Sequence, residues 1–324
     1  MARQFTVSPT YLAQDTIQSQ PRRHLLDVDD LSASEISDLL DTAEGMLEIT
    51  ARDVRKTPAL RGKTIITMFF EDSTRTRVSF EQAGKILGAD VINVTASASS
   101  VSKGESLLNT VKTLQAMQID ALVVRHPHSG APYFISNHID ASIVNAGDGT
   151  HAHPTQSILD LFTVRAHLGN LSGKKIAIIG DILYSRVARS DIIAFQKMGA
   201  EVVVSCPNTL LPDEWELGST LSDESGFGGL QLVKSVDQAV DGGTQALTLG
   251  SRGEPTLHPK ISEMLDYMSG KFIELKVITN ATKLNEQLSH DILKSKVDIL
   301  VFSVDAHTKD LYEKIRVRGK FDQV

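Results

Sequence analysis

Cysteine is almost missing from this 324-residue chain: Cys206 stands alone. A lone cysteine excludes a disulfide framework, and it excludes a zinc or iron–sulfur centre held by several thiolates. Its ordinary place is a buried strand. No apolar run approaches the roughly 18 residues that span a bilayer, so no membrane partner is expected. Positive charge is also in deficit, with a formal net charge of −7. Nucleic acid or an anionic membrane would not be held by bulk electrostatics, so any bound anion needs a local cluster of donors. The first 22 residues are polar and have no signal-peptide core, which reads as a flexible arm on a cytoplasmic protein. What remains is average for a globular chain, with 41% hydrophobic and 23% charged residues. Its length suits two domains of ordinary size.

The pattern predicts an α/β fold. A helix over 32–50 is signalled by the capping box of Ser32 and Glu35 and by helical spacing from Ile36 to Leu47. Strands at 64–70, 91–95, 121–125 and 142–146 then alternate with helices at 76–87, 106–117 and 131–137. Such alternation implies a parallel sheet covered by helices. Pro154 opens a longer helix over 155–168. A second run follows: a strand at 175–179, a helix to Met198 and a strand at 201–206. Loop-like sequence fills 207–229. Strands near 246–249, 275–279 and 299–304 resume the alternation and could extend the sheet begun at Lys175. The expected organisation is an arm at 1–22, a domain at 23–153, and a Rossmann-like domain at 154–324 that is atypical from 229 onward.

The sharpest chemical signal is Ser73-Thr74-Arg75-Thr76-Arg77, where a strand gives way to a helix. Unpaired N–H groups and partial positive charge at a helix start suit a phosphate. The hydroxyls of Ser73, Thr74 and Thr76 add donors, and Arg75 can grip a phosphate with two parallel bonds. The same residues would also serve as a plain helix cap with solvated arginines. Three further polar clusters fall at the ends of the following strands, where ligands of open parallel sheets bind. They are Arg125-His126-Pro127, the glycine loop from Asn145 to Gly149 leading to His153-Pro154-Thr155-Gln156, and the serine-rich loop from Ser97 to Glu105 with Lys103. Together they point to a small phosphorylated metabolite.

On these motifs, residues 22 to about 214 resemble aspartate carbamoyltransferase, the transferase that condenses carbamoyl phosphate with L-aspartate in pyrimidine synthesis. Ornithine carbamoyltransferase shares the first motif, whereas Lys103-Gly104-Glu105-Ser106 and Asn145–Gln156 are similar to the aspartate branch. The resemblance implies that Ser73, Thr74, Arg75 and Thr76 hold the phosphate. It implies that Arg125, His153 and Gln156 polarise the carbamoyl oxygen as the amine attacks. Ser99 and Lys103 look like the loop residues that reach a neighbouring subunit's site, which implies a homotrimer. Lys103 and Arg186 are the implied aspartate ligands. Regulatory subunits are possible further partners in this family, and no metal or cofactor is required.

Beyond Pro207–Pro212 the family's Arg-x-Gln loop and His-Pro-Gly-Pro-type turn do not follow. Residues from about 229 to 324 instead resemble part of a radical S-adenosylmethionine barrel, at Gly250–Pro255, Ile278–Ala281, Phe302–Ala306 and Tyr312–Arg316. The three-cysteine motif of that family is missing, so the segment has no cluster to hold. A join between two families near 213–229 is therefore expected, and with it three readings. The chain is an active aspartate carbamoyltransferase, a carbamoyl-phosphate-binding chimera with little turnover, or, most remotely, a radical S-adenosylmethionine protein.

Overall fold

The computed structural model describes residues 22–302, apart from 72, 96–104, 214, 223–226, 242–245, 250–254, 273, 280 and 282. Its first half alternates as the apolar pattern requires. Helix α1 (Ala33–Thr50) is followed by β1 (Thr64–Phe69), α2 (Thr74–Ile86), β2 (Asp90–Thr95), α3 (Leu107–Ala116), β3 (Ala121–His126), α4 (Ala131–Ser136) and β4 (Ser142–Asp148). The capping box predicted at Ser32 and Glu35 is formed, with Arg22 adding a 2.8 Å hydrogen bond to Glu35.

The four strands make a parallel sheet in the order β2-β1-β3-β4. Chain direction across the sheet reverses between β1 and β3: β2 lies on one side of β1, and β3 and β4 on the other. A crevice for a ligand opens at the carboxyl ends of two such strands. The register places Phe69 beside Arg125. Between β3 and β4 it slips, from Val124 opposite Asn145 to His126 opposite Asp148. The extra residue sits at Ala146-Gly147, and a bulge of this kind re-aims the side chains around it. The outer edge of β4 is covered by the segment entering α1, through Leu25 N to Ile143 O at 2.8 Å and Asn145 N to Leu25 O at 2.9 Å. Ile66, Met68, Leu122, Val124 and Ile143 face the helices in one apolar core.

Helix α5 (Pro154–Leu168) leads to the second run: β5 (Lys175–Ile179), α6 (Arg186–Lys197), β6 (Glu201–Ser205), β7 (Gln231–Leu232) and α7 (Val236–Asp241). Its parallel sheet has the order β5-β6-β7. Ile36 and Leu40 of α1 share a core with Leu161, Ile192, Phe195, Val202 and Val204, so α1 is packed on this second layer. Cys206 is buried just past β6, and burial pushes its thiol up to about 11.

The last run is β8 (Ala246–Leu249), α8 (Ile261–Met268), β9 (Glu274–Thr279), α9 (Glu286–Lys294) and β10 (Ile299–Phe302). These strands form a third parallel sheet, in the order β10-β9-β8. The parallel α/β class holds throughout, but the expected extension of the β5 sheet does not occur. Strand β8 lies near β5, yet among the described residues no ladder joins them. The two edges meet instead through side chains, with Ile179 of β5 packed on the core of Leu265, Leu275, Val277 and Ile292. Among the described residues no helix is long and apolar enough to cross a membrane.

Candidate active site

The residues singled out in the first half converge on the carboxyl edge of the first sheet because each follows a strand. Chain leaving β1 turns into α2, and Ser73 is its N-cap residue. Its hydroxyl makes no capping bond, so the helix start is not closed by its own side chain. Thr74 and Arg75 are exposed in the first turn of α2, while Ser73 and Thr76 are half-buried. Orphan N–H groups of a helix start, with the dipole behind them, favour an anion here.

Arg125 ends β3, next to β1. Its Nη1 donates to Thr76 Oγ1 and to the Ala146 carbonyl, each at 3.4 Å, and its Nη2 donates to Glu71 Oε1 at 2.9 Å. The chain past β4 supplies His153, the N-cap residue of α5. Its backbone N–H donates to Ser190 Oγ at 2.9 Å, tying α5 to α6. The imidazole is buried. Burial first, and then the positive charges of Arg125 and Arg186, lower its pKa to about 3. It is therefore neutral at physiological pH and can offer one ring N–H without carrying charge. Gln156 Nε2 donates to Asp160 Oδ1 at 3.1 Å, which leaves the amide oxygen for another donor. Asp160 faces the half-buried Asp191, whose carboxyl, with its Oδ1 out of solvent, is pushed up by burial and by the neighbouring acid.

Arg186 opens α6 and is likewise brought to this edge. Its Nη1 and Nη2 donate to the two Glu71 oxygens at 3.0 and 2.7 Å, and Nη1 also donates to the Gly149 carbonyl at 2.9 Å. Glu71 thus sits between two guanidinium groups. Burial opposes its ionisation, but the bonds from Arg186 and then Arg125 outweigh that and hold the carboxyl at about 2. One carboxylate against two guanidinium groups leaves local positive charge on a chain that is acidic overall, which an anionic substrate would balance.

Arg75, Thr76, Arg125, His153, Gln156 and Arg186 were legible in the sequence, although their placement at one edge does not by itself assign their roles. Ser99 and Lys103 lie outside the described residues. Three contributors fell inside or beside the named runs but were given no role of their own from sequence: Glu71, Gly147 and Asp148. Gly147 has φ +111°, and a Cβ there would lie 2.8 Å from Arg186 Nε and 3.3 Å from His153 Cδ2. Only a glycine allows that approach. The buried Asp148 Oδ2 accepts from Gly130 N at 2.7 Å, and its Oδ1 from Asn145 Nδ2 at 2.9 Å. A glutamate two residues before Ser73 was the available signal for Glu71, but nothing in the sequence says which cation it meets.

The sequence profile described as "Aspartate/ornithine carbamoyltransferase, carbamoyl-P binding domain" matches residues 23–166. The aspartate carbamoyltransferase catalytic subunit of Roseiflexus castenholzii is 51% identical over 245 residues, 75% of this chain and 75% of that protein. The chain belongs to the aspartate carbamoyltransferase family. The matched stretch is long enough to run past residue 214, where the motifs described above end. Among solved structures, the catalytic subunit of M. jannaschii aspartate transcarbamoylase aligns over 93% of both chains, at 30% identity and a TM-score of 0.62. Aspartate transcarbamoylase from Trypanosoma cruzi, in complex with carbamoyl phosphate and aspartate, aligns over 85% of this chain and 76% of that one. Its identity is 26% and its TM-score 0.61. Proteins of this family are transferases, and their fold is the mixed α/β arrangement with parallel sheets seen here.

Proposed function

We propose that this chain transfers the carbamoyl group of carbamoyl phosphate to L-aspartate, giving N-carbamoyl-L-aspartate and phosphate in pyrimidine synthesis. The observation that carries this reading is the meeting of the α2 N-terminus, Arg125, His153 and Arg186 at one sheet edge, in a chain of this family. Ser73, Thr74, Arg75 and Thr76 hold the phosphate. Arg125, His153 and Gln156 face the carbamoyl group, where negative charge grows on the oxygen as the amine attacks. The neutral imidazole of His153 donates to that oxygen, and the amide oxygen of Gln156 takes an N–H of the carbamoyl nitrogen. The new C–N bond forms as the C–O bond to phosphate breaks, the amine's proton leaves with the phosphate, and the remaining charge on that phosphate is held by the donors of α2. Arg186 and Lys103 take aspartate's carboxylates, with Ser99 and Lys103 coming from the neighbouring subunit of a homotrimer. Positioning and fixed charge supply the catalysis. The domain that binds carbamoyl phosphate is 23–153, with the second domain at 154–324. The setting is cytoplasmic, and regulatory subunits are possible partners.

Carbamoyl-aspartate production from the two substrates tests the reading, with Arg75→Ala as control. Product formation by the parent chain no greater than by that variant, at high substrate, would sink it.

A second reading is a chain that binds carbamoyl phosphate and turns over poorly, joined near 213–229 to a segment of other descent. It is favoured by the missing Arg-x-Gln loop, since losing one cation from a carboxylate site lowers the rate a hundredfold or more. On either reading residues 229–324 are scaffold. Their likeness to a radical S-adenosylmethionine barrel carries no chemistry beside a lone Cys206, and a purified protein with the brown colour of an iron–sulfur cluster would contradict that. Calorimetry separates the two readings, because only an intact aspartate pocket binds phosphonoacetyl-aspartate far more tightly than carbamoyl phosphate.

A further inference from the structure

Two residues before His153, the imidazole of His151 lies between carboxylates from distant parts of the chain. Its Nδ1 is 3.1 Å from Asp148 Oδ2, and its Nε2 is 3.3 Å from Asp27 Oδ2. Asp148 is fully buried at the end of β4, held also by the Ala152 N–H at 3.2 Å. Asp27 belongs to the segment that covers the edge of β4, and its Oδ1 accepts from Val28 N at 2.6 Å. The other polar groups facing the ring are Tyr133, edge-on at 6.0 Å with its hydroxyl donating to Asp30, and the Arg189 cation of α6. Only Nδ1 is hydrogen-bonded, to Asp148, while Nε2 faces Asp27 at ion-pair distance, and a ring set between two carboxylates in this way is favoured as the imidazolium. A neutral ring would forfeit the charge attraction to both carboxylates, which would keep only their other donors.

The loop spanned by this bridge carries the parts of the site that its neighbours cannot adjust. Gly147 abuts Arg186 and His153. The Gly149 carbonyl accepts from Arg186. We propose that His151, bridging Asp148 and Asp27 as an imidazolium, is a positioning residue for carbamoyl transfer: it sets the 147–153 loop against which Arg186 and His153 are aligned. The inference rests on the carbamoyltransferase reading above. The hydrogen bond to Asp148 pushes the His151 pKa up, against the effect of burial. A base with a raised folded-state pKa gives its full contribution below the unfolded value, near 6.5, and loses it as pH rises through the folded value. The bridge therefore fails on the alkaline side.

The test is the pH dependence, from about 6 to 9.5, of kcat and of KM for carbamoyl phosphate in the full chain and in His151→Gln and Asp27→Asn. His151→Gln is expected to lose about tenfold in kcat with KM within about threefold, and to lose the alkaline limb, since small displacements of aligned groups cost rate before binding. Asp27→Asn removes one carboxylate and moves that limb toward lower pH. Nitrogen NMR of the imidazoles is expected to show His151 titrating above the ordinary 6.5 in the parent, and at lower pH in Asp27→Asn. Profiles of both variants that superimpose on the parent's overturn the proposal. So does a rate loss that follows only a fall in Tm, or a His151 that titrates at or below the ordinary 6.5 in the folded parent. If the parent makes no carbamoyl-aspartate, the functional reading fails. The bridge is then judged by whether phosphonoacetyl-aspartate affinity weakens through the His151 titration in the parent but not in His151→Gln.

Discussion

Arg186 Nη2 lies 2.7 Å from Glu71 Oε1, so the first residue of α6 is bound to the chain leaving β1. Arg125 Nη2 meets the same oxygen at 2.9 Å. Glu71 is the counter-charge to two side chains, and the Arg186 side chain is only 5% exposed. Replacing it by Gln leaves two guanidinium groups close together with no carboxylate between them. A loss of about 2 kcal/mol in unfolding free energy is expected, below the 3–5 kcal/mol of a fully buried pair because Glu71 is partly in water. The acid dependence fixes the sign. A carboxyl held at about 2, against an ordinary value near 4.5, contributes stability that is present above 4.5 and lost as pH falls toward 2. Urea titrations at pH 7 and pH 3 check this, since the gap between parent and Glu71→Gln should narrow at the lower pH.

Gly147→Ala tests the close approach of loop and arginine. The added Cβ meets the Arg186 guanidinium at 2.8 Å, at a φ of +111° that an L-residue resists. Arg186 must move, and Glu71 with it. Turnover is expected to fall about a hundredfold, with stability lower by about 1–3 kcal/mol. Steady-state rates set beside a thermal melt decide the matter. Full activity in Gly147→Ala would mean that Arg186 has another place to go.

The His153 pKa of about 3 makes two claims that titration can check. Its ring signals are expected to stay those of a neutral imidazole from pH 5 to 9, so no acid limb of the rate profile belongs to it. In addition, the unfolded chain takes up the proton near 6.5 while the folded chain does not. The native state is therefore penalised as pH falls from 6.5 toward 3, and stability rises with pH over that window. His153→Gln keeps a donor and removes the titration. It is expected to flatten this part of the stability curve while lowering kcat by about tenfold, because the amide N–H does not sit where the imidazole N–H did. A His153 that titrates near 6.5 in the folded protein would contradict both claims.

Local chemistry made most of the elements of the first two sheets legible. Strand β5 falls where its apolar run ends, Pro154 sits at the first turn of α5 as a residue without an N–H should, and the Ser32–Glu35 box starts α1. Placing Arg125 and His153 at one edge needed only the rule that parallel strands put their carboxyl ends together. The pairing of Glu71 with Arg186 was out of reach. The two residues are 115 positions apart, and nothing periodic in either segment carries that distance. The short strand β7 was missed because two residues give no alternation to read. The third sheet's separation from the second was missed for a different reason. Strand propensity says that a segment is extended but not which edge it joins.

The last apolar core bears on whether residues beyond 229 serve the site or only support it. Leu265 of α8 is fully buried, against Ile261, Met268, Leu275, Val277, Leu288 and Ile292. Leu265→Ala leaves a cavity there, and about 3 kcal/mol of local stability should go with it. No residue of that core is shared with the core of the first sheet, to which Met68 and Val124 belong. Carbamoyl phosphate contacts, on the proposed reading, all lie at the first sheet's edge. Affinity measured by calorimetry is therefore expected to change less than twofold, while hydrogen exchange quickens across α8, β9 and α9. A tenfold loss of affinity with the first sheet still protected from exchange would mean that the third layer reaches the phosphate site. The contact to search would then be Ile179, since that residue of β5 packs directly on this core.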